Sequence, residues 1–328
     1  KAVELLIKGL ETDSESRKPY LAMCYMNMAT IYVAMKDYQK ALENSLLAKE
    51  LYEKLCEVDY DRNVWQLAIV YDNLASVYLN LKNHELAEAY NLQALEIREE
   101  MYSLDDVRFA PELCKTYNEI GVMYHALKRN DEAEEYFAKA LELSNVLIER
   151  DKDMHLPFMA QICYNLNVYY YDNDNLDKAL EFLQFAQEIY QELAKVDYHR
   201  FIGSLMETFK DYAKIYEKVL KIDATEENHK NLITAREVLY EYNQSGYFSG
   251  LSTAYNNIAL FYKSQKRNDD AEFYYVKAVE LREKHLDINN KTEVYYLSII
   301  CNNASQLSSG IGKHDKAESY SLRSMTMF

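Results

Sequence analysis

"YMNMATIY" runs from Tyr25 to Tyr32, and 46 residues later the chain reads "YDNLASVY", from Tyr71 to Tyr78. Aligning the chain on this eight-letter pattern exposes a repeat, and repeats are sought before any other structural reading. The small residue at its centre recurs at Ala29, Ala75, Gly121, Asn167, Ala213, Ala259 and Ala304, in steps of 46 residues five times and then 45. The closing aromatic recurs at Tyr32, Tyr78, Tyr124, Tyr170, Tyr216 and Tyr262, with Leu307 in the last copy. A second small residue follows at Ala41, Ala87, Ala133, Ala179, Ala271 and Ala317, and a third at Ala48, Ala94, Ala140, Ala186 and Ala278. The fifth copy breaks both later positions, with Thr225 and Leu232.

Each copy holds two helical patterns. Tyr25, Met28, Ala29 and Tyr32 share one face at spacings of 3 and 4, the signature of an amphipathic helix. After the polar turn "MKDYQ" (35–39), Ala41, Leu42, Ala48, Leu51, Tyr52 and Leu55 form the stripe of a second helix. One helix pair cannot bury its stripe alone, but stacked pairs can. The small residues let backbones approach and the aromatic fills the remaining gap. The expected fold is therefore all-α: an α-solenoid of antiparallel helix pairs, with residues 1–19 as the second half of a truncated repeat. Seven units follow, at about 20–63, 64–109, 110–156, 157–201, 202–248, 249–293 and 294–328.

Composition agrees. The 328 residues include only 7 Gly and 3 Pro, too few turn residues for a β-rich chain of this length. The net charge of −16 argues against nucleic acid or an anionic membrane as partner, since both need a basic face. The five cysteines, Cys24, Cys56, Cys114, Cys163 and Cys301, form no CxxC pair and fall within apolar helical patterns. They read as reduced, buried thiols of a cytoplasmic protein. No signal peptide or transmembrane run is seen. Both ends cut a repeat and neither carries a polar cap, so a piece of a longer protein, or trimmed or disordered ends, is expected. Uncapped solenoid ends also invite end-to-end self-association.

The pattern resembles the tetratricopeptide repeat, which has a small residue in helix A, an aromatic three residues on, and two alanines in helix B; Ala75, Tyr78, Ala87 and Ala94 stand at those places. The resemblance covers essentially the whole chain and implies a right-handed superhelix. It departs in length: the family's unit of about 34 residues is here 46. Acidic links such as "EVDYDRN" (57–63) replace the family's closing proline. Twelve extra residues add about three helical turns, shared between two helices. Lengthened units of this kind, as in "AEAYNLQALEIREEMYSLDD" (87–106), are similar to those of kinesin light chain and its bacterial relatives.

Asn27 lies two residues after Tyr25, about 200° around the helix and away from the packing stripe. Its equivalents are Asn73, Glu119, Asn165, Asp211, Asn257 and Asn302. Asparagine is a mediocre helix former, so its return at a non-packing position needs a reason. The resemblance implies that this row lines a concave groove, where asparagine ladders bind the backbone of an extended peptide. An amide side chain offers both donor and acceptor, which suits a peptide unit. The alternative is that these residues bond to one another or to the next helix and hold the stack. Flanking positions would set preference: Lys115 and Gln161 one turn before the ladder, and Asp72, Asn118, Tyr164 and Asn256 one residue before it. A neutral to basic ligand segment is expected.

Two irregularities stand out. "YNLNVYYY" (164–171) puts Asn167 where a small residue belongs, with Tyr164 and Tyr171 on or near the groove face and Tyr169 and Tyr170 packing. The fifth copy loses its stripe in "KIDATEENHKN" (221–231), and residues 219–250 read either as a drifted repeat or as a hinge. Catalytic signatures are missing from the sequence. The seven histidines are scattered, none with zinc spacing, and "GIGKHD" (310–315) is not a phosphate loop. No metal, cofactor or enzymatic activity is expected. Three functions remain open: a module binding a peptide or partner protein, the sensor segment of a larger bacterial regulator, and an architectural or self-associating array.

Overall fold

The computed structural model describes residues 14–325, which form fourteen helices and, among the described residues, no strand. Residues 1–13, most of the expected half-repeat, and 326–328, the end of the seventh copy, lie outside the described residues; so do the chain ends on which self-association is expected. The helices are α1 (Ser14–Ala34), α2 (Tyr38–Val58), α3 (Tyr60–Asn80), α4 (His84–Leu104), α5 (Asp106–Ala126), α6 (Asn130–Arg150) and α7 (Lys152–Asp172). They continue as α8 (Leu176–Val196), α9 (Tyr198–Val219), α10 (Glu226–Tyr242), α11 (Gln244–Ser264), α12 (Asn268–His285), α13 (Lys291–Gly310) and α14 (His314–Met325). Residues 14–19 belong to α1.

Odd-numbered helices carry the eight-letter pattern, and α2, α4, α6, α8 and α12 carry the two alanines. The 46-residue period is made of two 21-residue helices, a three-residue turn and a one-residue link. The extra residues of this repeat therefore do lengthen both helices.

The link explains how so short a connection works. Asp59, Asp105, Asp151, Asp197 and Asn243 each end one helix and start the next, with φ between −150 and −135°. Each side chain accepts the backbone N–H three residues on; for Asp105 this is Arg108 N–H at 3.0 Å. One side chain thereby satisfies a donor that a helix start leaves orphaned. The links fall a few residues before the boundaries drawn from periodicity, because the first turn of each odd helix is polar and carries no stripe.

The turn within each pair is equally regular. Lys36, Lys82, Lys128, Asp174, Lys266 and Gly312 all have φ between 59 and 76°. In all but the last, the next residue's N–H returns to the closing aromatic, as in Asn83 to the Tyr78 carbonyl at 2.9 Å and Arg129 to the Tyr124 carbonyl at 2.9 Å; Lys313 returns to the Ser308 carbonyl. This is a Schellman-type ending. The fifth copy departs: Leu220 is right-handed at φ −63°, the connection lengthens to residues 220–225, and α10 has 17 residues.

The recurring small residues are buried, among them Ala29, Ala75, Ala259, Ala87, Ala94, Ala271 and Ala278. The closing aromatics lie against a ring twelve residues on: Tyr78 on Tyr90 (5.7 Å), Tyr124 on Tyr136 (5.5 Å), Tyr170 on Phe182 (5.5 Å) and Tyr262 on Tyr274 (5.8 Å). Such pairs contribute about 0.5–1.5 kcal/mol beyond their buried area. The first tyrosine of the pattern ties successive pairs together. Tyr117 donates to Glu99 at 2.8 Å and Tyr255 to Glu237 at 2.6 Å. Each of these rings packs within its own pair, Tyr117 on Tyr136 and Tyr255 on Tyr274, while its hydroxyl reaches the preceding pair.

The chain divides into two compact units, 1–162 and 163–328, and the division falls inside α7. In the first unit, α1 to α5 each pack on the following helix, and α1 also touches α3. In the second, α8 to α13 do the same, and α11 touches α13. Cys114, Cys163 and Cys301 are buried free thiols, whereas Cys24 and Cys56 are half-buried. Burial pushes the Cys114 and Cys163 thiols up to about 12, which makes them poor nucleophiles. No described helix is long and apolar enough to cross a membrane.

Candidate functional site

The ladder residues occupy one register of the odd-numbered helices, and none of them is buried. Asn27, Glu119, Asn257 and Asn302 are exposed; Asn73, Asn165 and Asp211 are half-buried. In the first unit, Asn27 and Asn73 make no hydrogen bond to another described residue. Glu119 is paired with Lys115 at 3.6 Å across one helical turn. Gln161 is exposed, and Asn118 is half-buried.

Asp72 is engaged within the protein. The Arg98 guanidinium donates to it from both Nη atoms, with Nη1 to Oδ1 at 2.9 Å, and also to Thr116 Oγ1 at 2.7 Å. Arg98 is only 4% exposed and lies 5.9 Å from the Trp65 ring. A buried cation persists only when paired and hydrogen-bonded. Asp72 from α3 and Thr116 from α5 supply this, so the pairing also joins consecutive repeats.

In the second unit the ladder meets Asn167. This residue is 1% exposed; its Nδ2 donates to Asp211 Oδ2 at 3.4 Å, and its Oδ1 has no partner. Burial, with the Asp211 charge beside it, pushes the pKa of the Tyr164 hydroxyl up. Burial raises the Asp211 carboxyl, while Tyr164, Lys214 and Asn167 pull it back. This part of the ladder thus joins α7 to α9, in line with the internal-bonding alternative. Tyr171 lies under Lys214 at 4.0 Å and Lys218 at 4.7 Å. Tyr169 and Tyr170 are buried. Asn256 is buried and accepts from Asn303 at 3.1 Å, across α11 and α13. Asn302 makes no hydrogen bond to another described residue.

Sequence reasoning passed over the arginines of the even-numbered helices. Arg98, Arg236 and Arg282 each stand four residues after the third small position, on the buried stripe. Arg282 is 1% exposed; it pairs with Glu293 and donates to Ser249 Oγ at 3.1 Å. An arginine at a stripe position was the available signal. Also missed were two pockets meeting at Arg62, Trp65 and Gln66, of about 770 and 630 Å³. Met23 and Ile69, one turn before Asn27 and Asn73, line the larger pocket. Among the described residues no cluster of His, Cys, Asp or Glu could hold a metal ion.

Three tetratricopeptide-repeat family profiles match, over residues 20–100, 115–146 and 251–290. The chain carries tetratricopeptide repeats. No significant match was found among curated proteins. Among solved structures it is similar to BtubC from P. vanneervenii, at 19% identity over 88% of this chain and 90% of that one, with a TM-score of 0.40. It is also similar to a putative kinesin light chain repeat protein of Podosopora anserina, at 16% identity over 68% and 96%, with a TM-score of 0.49. A third is aspartyl phosphate phosphatase F from Bacillus subtilis, at 16% identity over 100% and 75%, with a TM-score of 0.46. At such identities and scores, these likenesses transfer neither partner nor activity to this chain.

Proposed function

We propose that this tetratricopeptide-repeat chain is a protein-interaction module that holds an extended peptide, or a partner's extended segment, along the ladder register of the odd-numbered helices within a unit. The observation that carries this reading is the state of Asn27, Asn73 and Asn302. Three amides recur at one outward register and make no hydrogen bond within the described protein. Each keeps a donor and an acceptor for a peptide unit. Backbone recognition of this kind gives affinity, and neighbouring side chains give preference.

Those neighbours favour a neutral to basic segment. Lys115 is tied to Glu119 and Lys210 to Glu207, so the basic residues beside the ladder are already neutralised. The chain as a whole carries −16. The larger pocket beside Trp65, with Met23, Leu55 and Ile69 in its wall, lies one turn from the first two ladder residues and would take a hydrophobic side chain of the same segment.

The test is a display-library peptide screen on the parent protein and on a variant with Asn27, Asn73, Asn165, Asn257 and Asn302 changed to Ala. Circular dichroism checks that the variant is folded. Peptides enriched on the parent and lost on the folded variant support the reading. Equal enrichment on both would remove the ladder from it.

A further inference from the structure

We propose that the second unit carries a binding pocket for a single carboxylate, built where the fifth repeat departs from the period. The departure is local. The connection between α9 and α10 spans residues 220–225, and α10 is four residues shorter than the 21-residue second helices of the first four pairs. A cavity of about 470 Å³ opens between α9, α10 and α11, lined by Lys221, His229, Arg236, Thr253 and Asn257 among others.

Gly250 seats the arginine. A Cβ at this position would fall 2.8 Å from Arg236 Cζ and overlap Nη1. Glycine inside a helix costs about 1 kcal/mol relative to alanine, and here it leaves the space that the guanidinium fills. Arg236 bonds to Glu217 through Nη2. Its Nη1 makes no hydrogen bond to a described residue, and its buried Nε has no partner. Lys221 is exposed and makes no ion pair among the described residues. Asn257 Nδ2 adds a further uncommitted donor, since Asn257 engages Asn256 through its oxygen.

The donors therefore outnumber the acceptors. Arg236 neutralises Glu217, and burial keeps His229 uncharged at neutral pH. Lys221 leaves the pocket with one net positive charge in a strongly acidic chain. That balance suits a monoanion, and Glu217 disfavours a doubly charged phosphate. The planar guanidinium fork matches a carboxylate. Leu220, Leu232, Ala254 and Leu260 supply apolar wall, so the carboxylate should sit on an aliphatic body.

The test is a titration of the intact chain with N-acetyl-leucine and, separately, with its neutral amide, read on the arginine Nε–H resonances. The Arg236 signal is assigned by its loss in Arg236→Lys. The acid is expected to shift it saturably, and the amide at least about tenfold more weakly. Gly250→Ala should abolish the shift, whereas Gly203→Ala, at a position open to solvent, should leave it. Lys221→Gln should weaken binding several-fold without touching the fold. No shift, equal shifts with acid and amide, or unchanged affinity in Lys221→Gln would overturn the proposal. The pocket shares Asn257 with the ladder, so the titration uses the parent ladder sequence and reads the pocket through Arg236 and Lys221, apart from the display screen.

Discussion

Gly121 and Phe137 form a matched pair. The Phe137 ring occupies the space that a side chain at position 121 would need, with a hypothetical Cβ only 2.8 Å from its edge. The other copies put alanine or a larger residue at the first position and a different side chain opposite. Gly121→Ala alone is expected to cost about 1–3 kcal/mol through overpacking. In a Phe137→Leu background the same change should cost much less. A double-mutant cycle by urea denaturation reads the difference; additive effects would refute the pairing.

The Arg98–Asp72 pair should be asymmetric to dissection. Asp72→Ala strands a buried guanidinium and is expected to cost about 3–5 kcal/mol. Arg98→Met combined with Asp72→Ala removes the stranded charge and should cost less than Asp72→Ala alone. Thermal unfolding of the three variants separates these outcomes.

Glu226 is held at about 2, well below its ordinary 4.5, by hydrogen bonds from Lys230, Arg267 and Tyr262. A depressed carboxylate contributes stability that is full above its unfolded value and lost as pH falls. The contribution should therefore fade between pH 4.5 and about 2. A carbon-detected NMR titration should place its midpoint near the lower end, and Arg267→Met should move it upward.

The single-residue links carry one cap each. Asp105→Ala should destabilise the chain by about 1 kcal/mol, whereas Asp105→Asn should be nearly neutral, as Asn243 already serves at the same register. Chemical denaturation distinguishes the two.

The uncommitted ladder asparagines should be dispensable to the fold. Changing the exposed Asn27 and Asn302 and the half-buried, unbonded Asn73 to Ala is expected to leave stability within about 0.5 kcal/mol per site. A loss of several kcal/mol in the triple variant would assign these residues to internal structure. Asn167 and Asp211, already bonded to each other, serve as the contrasting pair.

Much of this architecture was legible in the letters. The interval from Ala29 to Ala75 to Gly121 determined the repeat, its helix pairs and the outward register of Asn27, because helical periodicity is local and repetition multiplies it. The acidic links were visible too, although their reduction to one capping residue needed the backbone dihedrals. The fates of individual polar groups were not legible. Whether Asp72 faces a ligand or grips Arg98, whether Asp211 is free or held by Asn167, and whether Asn256 meets Asn303, depends on side chains 26 to 47 residues away. The fifth repeat shows the same limit: a lost stripe was readable, but α10 formed nonetheless and left a cavity around Arg236. Sequence by itself determined the units and their outward faces, since these follow from the angular spacing along one helix. Only the tertiary structure decided which of the outward polar groups remain uncommitted, since that depends on distances between helices that no single period encodes.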